Sequence, residues 1–517
     1  MPENLRKEIG ASRYGDPGPG NGLGYDLNLE FAGFDGGLLI YHRRELLRGV
    51  AFGTLAAAIG RFGVARGLEA FDSKRPPVGQ RRFVSHAVEE NIVRVKAGIG
   101  DPELAWMFEN CYPNTLDTTV DCSETAGRPD TFIITGDIDA MWLRDSACQV
   151  WPYVPLAKND EDLRRMFRGL IARQAQSIQI DPYANAFLRD ARSKKALEWA
   201  LEDSTEMRPG VAERKWEVDS LCYCIRLAHG YWKASGDALP FDAEWAAAMR
   251  LLVATFREQQ RKKGPGPYHF QRRTEVPSDT QALGGFGNPA RPVGMIHSMF
   301  RPSDDACLYS FYVPSNLFAV VSLRQLAEMA NGILDDDGLS SECQALANEV
   351  ERALAKYGRI EGPDGREIWA FEVDGYGNQL FMDDANIPGL LSLPYLGCCG
   401  AHDPVYLRTR RKALSLDNPY FFQGTAADGI GGPHEGLNMI WPMALVAQAL
   451  TSDDQAEIRR CLDWLRSTHD RSGFMHESFN KDNPAKFTRA WFAWANTLFG
   501  ELIVKLSEER PNLLKRA

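Results

Sequence analysis

Six stretches of this chain share one form, a polar or charged opening followed by an apolar helical segment rich in small residues. They are Trp142–Val154, Glu217–Ala228, Pro314–Leu326, Asp384–Leu396, Asn438–Leu450 and Phe487–Leu502. Amphipathic segments lie between them, among others Glu161–Ile178, Asp242–Gln260, Ser340–Tyr357 and Asp454–Ser467. A helix that is apolar on all sides is buried, whereas one with a single apolar stripe covers others from outside. Six buried helices alternating with outer ones close into an (α/α)6 toroid, an all-α fold of six inner and six outer helices. The repeat is one of pattern and not of identity, so a generic helix bundle is the competing reading. Strand-like alternation is brief, as at Thr131–Ile134 and Glu367–Val373. In a toroid the inner helices start at one rim, so their polar openings and the long links before them face one cavity.

Composition narrows the function without naming it. A net charge of −10 with no long basic run excludes a protein that grips nucleic acid by neutralising phosphates. None of the ten cysteines forms a CxxC pair or has zinc-site spacing to a histidine, and several sit in apolar helical patterns as small hydrophobes. One or two disulfides would fit an exported protein. Residues 1–70 read as an N-terminal extension and 75–517 as the toroid. Within the extension, His42-Arg43-Arg44-Glu45-Leu46-Leu47-Arg48 precedes a mildly apolar run to Gly60 and resembles a twin-arginine export signal. The competing reading there is an amphipathic helix. The run is too short to span a bilayer, no other segment reads as transmembrane, and oligomeric state is not legible.

The polar openings carry the chemistry. In Thr135–Val154 (TGDIDAMWLRDSACQVWPYV), Asp137, Asp139, Arg144 and Asp145 surround Trp142. Carboxylates and an arginine suit sugar hydroxyls, and a tryptophan face suits a sugar ring. Similar clusters recur in MFRPSDDAC, with Arg301, Asp304 and Asp305, and in GIGGPHEGLNMIWP, with His434, Glu435, Asn438 and Trp441. A further one is GFMHESFN, with His476 and Glu477, followed by Thr488 and Arg489. Each alone reads equally as helix capping beside a solvated loop; together at one rim they fit one site.

Two acids stand out. Glu217, in KWEVDSL, heads an apolar stripe of Leu221, Cys224 and Ala228. Poor solvation there raises a carboxyl pKa, the condition for a general acid. The competing role is a helix N-cap. Glu477, between His476 and Ser478, suits a carboxylate that deprotonates water; the competing role is a loop ion pair, for instance with Arg489. Paired acids from distant segments in a helical toroid point to glycoside hydrolysis.

TGDIDAMWLRDSACQVWPY, WEVDSLCY, MFRPSDDAC, PSNLFA, GPHEGLNMIWPMALVAQALTS and MHESFNKDNPAKFTRAWFAWANTLFGELI together resemble glycoside hydrolase family 125 over roughly residues 85–505. The resemblance implies a metal-independent exo-α-1,6-mannosidase with an (α/α)6 fold, no cofactor, and inversion of the anomeric centre. It places the general acid on Glu217 and the general base on Glu477. It gives mannose binding to Arg144, Asp145, Arg301, Asp304, Asp305, His434 and Arg489, and the polar openings add Asp137, Trp142, Asp219, Trp441 and His476 as candidate substrate-binding residues. Asp139 stands where such sequences often carry proline. The expected partner is an α-mannoside or mannose-containing glycan. A toroidal glycosidase of other linkage is the nearer alternative, and a sugar epimerase using His434 and His476 or a glycan-binding protein without activity the more distant ones. The export expectation has its own test: with Arg43 and Arg44 both replaced by lysine, the protein accumulates in the cytoplasm of a bacterial host. Unchanged export of that double variant removes the twin-arginine reading.

Overall fold

Inner and outer helices differ at their first residues. A computed structural model describes residues 71–515. Its helices are α1 (His86–Lys96), α2 (Pro102–Cys111), α3 (Asn114–Thr118), α4 (Leu143–Val150), α5 (Glu161–Ile180), α6 (Val218–Ser235) and α7 (Ala243–Gln259). They continue with α8 (Val313–Gly332), α9 (Asp337–Tyr357), α10 (Pro404–Ala413), α11 (Pro442–Leu450), α12 (Gln455–Ser467) and α13 (Ala493–Glu509). Helices α5, α7, α9, α10 and α12 start behind Asp160, Asp242, Asp336, Asp403 and Asp454, whose carboxylates accept from first-turn N–H groups. A cap of this kind contributes about 1 kcal/mol and lets a helix begin at the surface. Helices α4, α6, α8, α11 and α13 follow Trp142, Glu217, Tyr312, Trp441 and Phe492, none of which makes a side-chain cap. All five of those residues are buried.

The uncapped helices form the inner ring. Helices α4, α6 and α8 pack side by side, α11 packs on α13, and α13 returns to α4 to close the circle. The remaining inner place belongs to Asp384–Leu396, where the sequence pattern predicts a helix. The structure has turns there instead. The reason is local: Pro388 and Pro394 lack the N–H that a helix needs and disfavour helical backbone in the residue before them. The segment keeps its place because three tyrosine hydroxyls donate to its carbonyls. Tyr223 reaches Ile387 O at 2.8 Å, Tyr312 reaches Pro388 O at 2.6 Å, and Tyr406 reaches Leu391 O at 2.9 Å. The other helical expectations correspond to helices shifted by a few residues.

Three small antiparallel sheets crown the starts of the inner helices. Met141–Trp142, Ala186–Phe187 and Val211–Glu213 form the first, with Trp142 opposite Ala186. Phe311–Tyr312, Glu372–Val373 and Gln379–Leu380 form the second, with Tyr312 opposite Glu372. Met439–Ile440, Ser478–Asn480 and Phe487–Thr488 form the third, with Ile440 opposite Phe479 and Ser478 opposite Thr488. These pairings carry the site residues. All ten cysteines are free thiols and seven are buried, as the core-thiol reading expects. Among the described residues no helix is long and apolar enough to cross a membrane. The N-terminal extension and its export motif lie outside the described residues.

Close approach of α13 to α2 depends on Gly500. A Cβ at this position would stand 2.8 Å from Tyr112 Cα and 2.9 Å from Tyr112 Cβ, so the helix and the chain after α2 must separate to admit it. Gly500→Ala is expected to cost about 1–3 kcal/mol, read as a lower Tm with unchanged helical circular dichroism. An unchanged Tm would show that the contact yields freely.

Candidate active site

Arg144, in the first turn of α4, is 3% exposed and organises the first half of the site. Its Nη1 donates to Glu217 Oε2 at 2.6 Å and to Asp219 Oδ2 at 3.3 Å, and its Nε stands 3.5 Å from Asp145 Oδ2. Ser220 Oγ also donates to Glu217 Oε2 at 2.7 Å, and Ser315 Oγ to Asp219 Oδ1 at 3.1 Å. One guanidinium thus faces three buried carboxyl groups. Burial pushes the Glu217 carboxyl well above the usual range; Arg144 opposes the shift, and Asp304 and Asp219 reinforce it. Burial also raises Asp219, against the pull of Arg144.

Glu217 is sealed in. Its side chain has no exposed surface, and Oε1 is as buried as the bonded Oε2. Asp304 is the carboxylate beside it: its charge reinforces the upward shift of Glu217, it is partly exposed, and it adopts a left-handed backbone with φ 67°. It lies in the MFRPSDDAC link before α8. Its charge is felt by Arg144 on one side and by His434 on the other.

The second half gathers around Glu477. Arg489 Nη1 donates to Glu477 Oε1 at 3.1 Å, while Nη2 donates to Thr135 O at 2.8 Å and Asp137 Oδ1 at 2.5 Å. Thr135 joins the halves, because its Oγ1 donates to Asp145 Oδ1 at 2.5 Å. Burial works against charge on Glu477, but Arg489, His434 and a hydrogen bond from Glu435 outweigh it and hold this carboxyl below the usual range. Glu435 goes the other way: burial and the neighbouring Glu477 push it up to about 8. His434 is raised despite burial, by Asp305 first, then Glu435 and Glu477. Its ring keeps 37% side-chain exposure although protein surrounds it, so it faces an opening in the rim.

A third group lies beside Asp304. Arg301 Nε donates to Glu372 Oε1 at 2.6 Å, and Glu372 Oε2 accepts from the Leu308 and Tyr309 N–H groups. Asp305 accepts from Ser303 Oγ at 3.0 Å and stands 3.9 Å from His434 Nδ1. Burial and the nearby Asp305 raise Asp384.

Most residues expected from the sequence therefore come together, while Trp142, His476 and Glu217 are packed away from solvent. Trp142 is buried in a small apolar cluster with Ala140, Ala186 and Ala212, so its ring supports the rim and does not present a sugar platform. His476 is 1% exposed, stacks on Phe487 at 3.8 Å and donates Nδ1–H to Ala490 O, and burial lowers its pKa. Glu217, expected as the direct acid, has no surface through which a substrate could touch it. Trp441 is buried with its ring edge-on to His434 at 6.3 Å. The sequence reading missed Glu372, Asp384 and Asn185 as members of the cluster. It noted Glu435 without giving it a role; its place next to His434 was the available signal. Among the described residues no group of three or more His, Cys, Asp or Glu side chains could hold a metal ion.

Comparisons with known proteins agree with this geometry. The sequence model of the metal-independent α-mannosidases, glycoside hydrolase family 125, matches residues 101–504. The meiotically up-regulated gene 157 protein of Schizosaccharomyces pombe is 42% identical over 462 residues, covering 86% of this chain and 90% of that protein. A solved Streptococcus pneumoniae structure, from work on metal-independent α-mannosidases, holds α-1,6-mannobiose in a non-productive complex. It is 41% identical with a TM-score of 0.79, covering 83% of this chain and 100% of that one. The helical toroid with acids at its rim thus belongs to an enzyme, and the chain is a member of the metal-independent α-mannosidases of glycoside hydrolase family 125.

Proposed function

We propose that this α-mannosidase removes terminal α-1,6-linked mannose with inversion, Asp304 passing a proton to the leaving oxygen and Glu477 activating water. The observation that carries the reading is the placement of two carboxyl groups at one rim, Asp304 partly exposed beside the sealed Glu217, and Glu477 held by Arg489 Nη1 at 3.1 Å. Burial pushes the Glu217 carboxyl well above the usual range, with Asp304 adding to the shift, while Arg489 and His434 hold Glu477 below that range against burial. An inverting pair needs one acid and one base on opposite faces of the sugar, about 6.5–9.5 Å apart.

The donor must touch the glycosidic oxygen. Glu217 cannot, with both oxygens buried, whereas Asp304 is partly exposed in front of it. This departs from the sequence expectation of Glu217 acting alone: Asp304 adds to the upward shift of the sealed Glu217 and is the partly exposed member of the pair. As the C1–O bond breaks, the proton moves from Asp304 to the departing oxygen. Glu477 takes a proton from water, whose oxygen bonds to C1 from the opposite face, and β-mannose leaves. Asp145, Asp219 and Asp305 face the positive charge that develops on the ring. The α-1,6 linkage is supported by the mannobiose bound to the Streptococcus pneumoniae relative; hydrolysis of α-1,2- or α-1,3-mannobiose in preference to the α-1,6 isomer would replace it.

Asp304→Asn is expected to lower turnover of α-1,6-mannobiose by about 10²–10⁴-fold while sparing α-mannosyl fluoride, whose leaving group needs little protonation. Glu477→Gln is expected to depress both substrates. Full mannobiose activity in the Asp304 variant would defeat the donor assignment, and α-mannose as the first product by NMR would defeat inversion.

The pH profile carries a separate expectation. Arg489 favours ionised Glu477, so Arg489→Met raises the pKa of that carboxyl and moves the acidic limb of kcat/KM to higher pH. An unmoved limb would separate Glu477 from the basic role.

A further inference from the structure

Behind Asp304 lies a buried polar network that the steps above do not use. A non-glycine residue in a left-handed backbone persists where its surroundings hold it. Two groups hold Asp304. Lys215 Nζ donates to its carbonyl oxygen at 2.7 Å and to Asp279 Oδ1 at 2.8 Å. Asn185 Nδ2 donates to Asp304 Oδ1 at 3.0 Å and to Glu213 Oε2 at 3.1 Å.

Asn185 has little freedom to turn. It is fully buried, its Oδ1 accepts from the Lys215 N–H at 3.0 Å, and its own carbonyl accepts from the Leu143 N–H at 3.0 Å. An N–H donor on one side and two carboxylates on the other fix which amide atom is oxygen and which is nitrogen. Glu213 is anchored in turn by Trp199 Nε1 at 3.0 Å and Arg272 Nη2 at 2.9 Å, and Arg272 grips Asp203 through two bonds of 2.6 and 2.7 Å. Lys215 and Arg272 keep Glu213 ionised, so it stays an acceptor.

We infer that Asn185 is a positioning residue for proton delivery: by occupying Oδ1 of Asp304 it confines the transferable proton to Oδ2 and stabilises the carboxylate left after transfer. The inference rests on Asp304 being the substrate-side donor. Its chemistry is simple. An amide N–H cannot be lost at working pH, and a hydrogen bond to the charged form of a carboxyl favours proton release. Without it the acid is weaker, holds its proton to higher pH, and serves a poor leaving group less well.

The test uses the full chain with Asn185→Ala and Asn185→Ser, folding being checked by circular dichroism. Turnover of α-1,6-mannobiose is expected to fall by about 10–100-fold with little change in KM. Hydrolysis of α-mannosyl fluoride is spared, and the basic limb of the pH profile moves upward. Equal loss on both substrates with an unmoved basic limb would reduce Asn185 to a structural residue and overturn the inference. Should both variants fail to fold, Trp199→Phe loosens Glu213 from a partly exposed side and is expected to give a smaller shift of the same sign; no shift counts against the inference. Asp304→Asn run in parallel separates the two readings. If it keeps mannobiose activity, the donor assignment falls and the positioning role with it. If it shows the leaving-group dependence and the Asn185 variants do not, the positioning role alone falls.

Discussion

The shortage of positive charge around Arg144 governs the first half of the site. One guanidinium sits among Glu217, Asp219 and Asp145, all of them buried. Two unit charges about 4 Å apart interact by about 4 kcal/mol at an effective dielectric near 20, or roughly 3 pKa units. Arg144 can offset one such acid but not three. The surplus favours the neutral form where burial is greatest, so the Glu217 carboxyl is pushed well above the usual range. An upward-shifted carboxyl follows from burial together with that ratio of charges.

The same ingredients in another ratio give the opposite result across the rim. Arg489 and His434 face Glu477, while Glu435 beside it stays protonated up to about pH 8 and donates a hydrogen bond. Asp137, which also uses Arg489, is partly exposed, so water shares the work of solvating it. With two cationic groups and a neutral donor around one carboxylate, ionisation wins over burial. Thr135 ties the two halves, through its hydroxyl to Asp145 and its carbonyl to Arg489. The short Thr135–Asp145 segment therefore touches both carboxyl centres at once.

What the sequence made legible was what helical periodicity encodes. Five of the six inner segments are helices, and the acids and arginines of their openings meet in one cluster. The sixth failed because Pro388 and Pro394 interrupt an otherwise apolar run, and turns held by tyrosine hydroxyls can fill the same volume. Trp142 misled because a tryptophan beside charges resembles a sugar platform, while its burial depends on Ala186 and Ala212 in strands too short to leave a pattern. Asn185, just before such a strand, and Glu213 and Glu372, within them, were invisible for the same reason: a two- or three-residue strand has no period to read. The choice between Glu217 and Asp304 needed the fold as well, since sequence spacing cannot tell a sealed carboxyl from the one before it.

The uncapped starts of the inner helices set the last constraint. Giving up five caps at about 1 kcal/mol each is offset at four of them by burial of Trp142, Tyr312, Trp441 and Phe492, at about 1.5–3 kcal/mol for a large apolar residue. The arrangement turns the positive ends of several helix dipoles toward one rim. That field alone would oppose a sugar ring acquiring oxocarbenium character. The first turns of α4 and α6 answer it with Asp145 and Asp219, the unwound fourth segment with Asp384, and the link before α8 with Asp304 and Asp305. Acids at helix N-termini are stabilised by the dipoles they cancel, so the chain can hold more of them than its arginines alone would allow. The excess of carboxylate over cation at this rim is thus permitted by the helix ends and needed by the transition state, and a toroid with inner helices all starting on one side brings the two together.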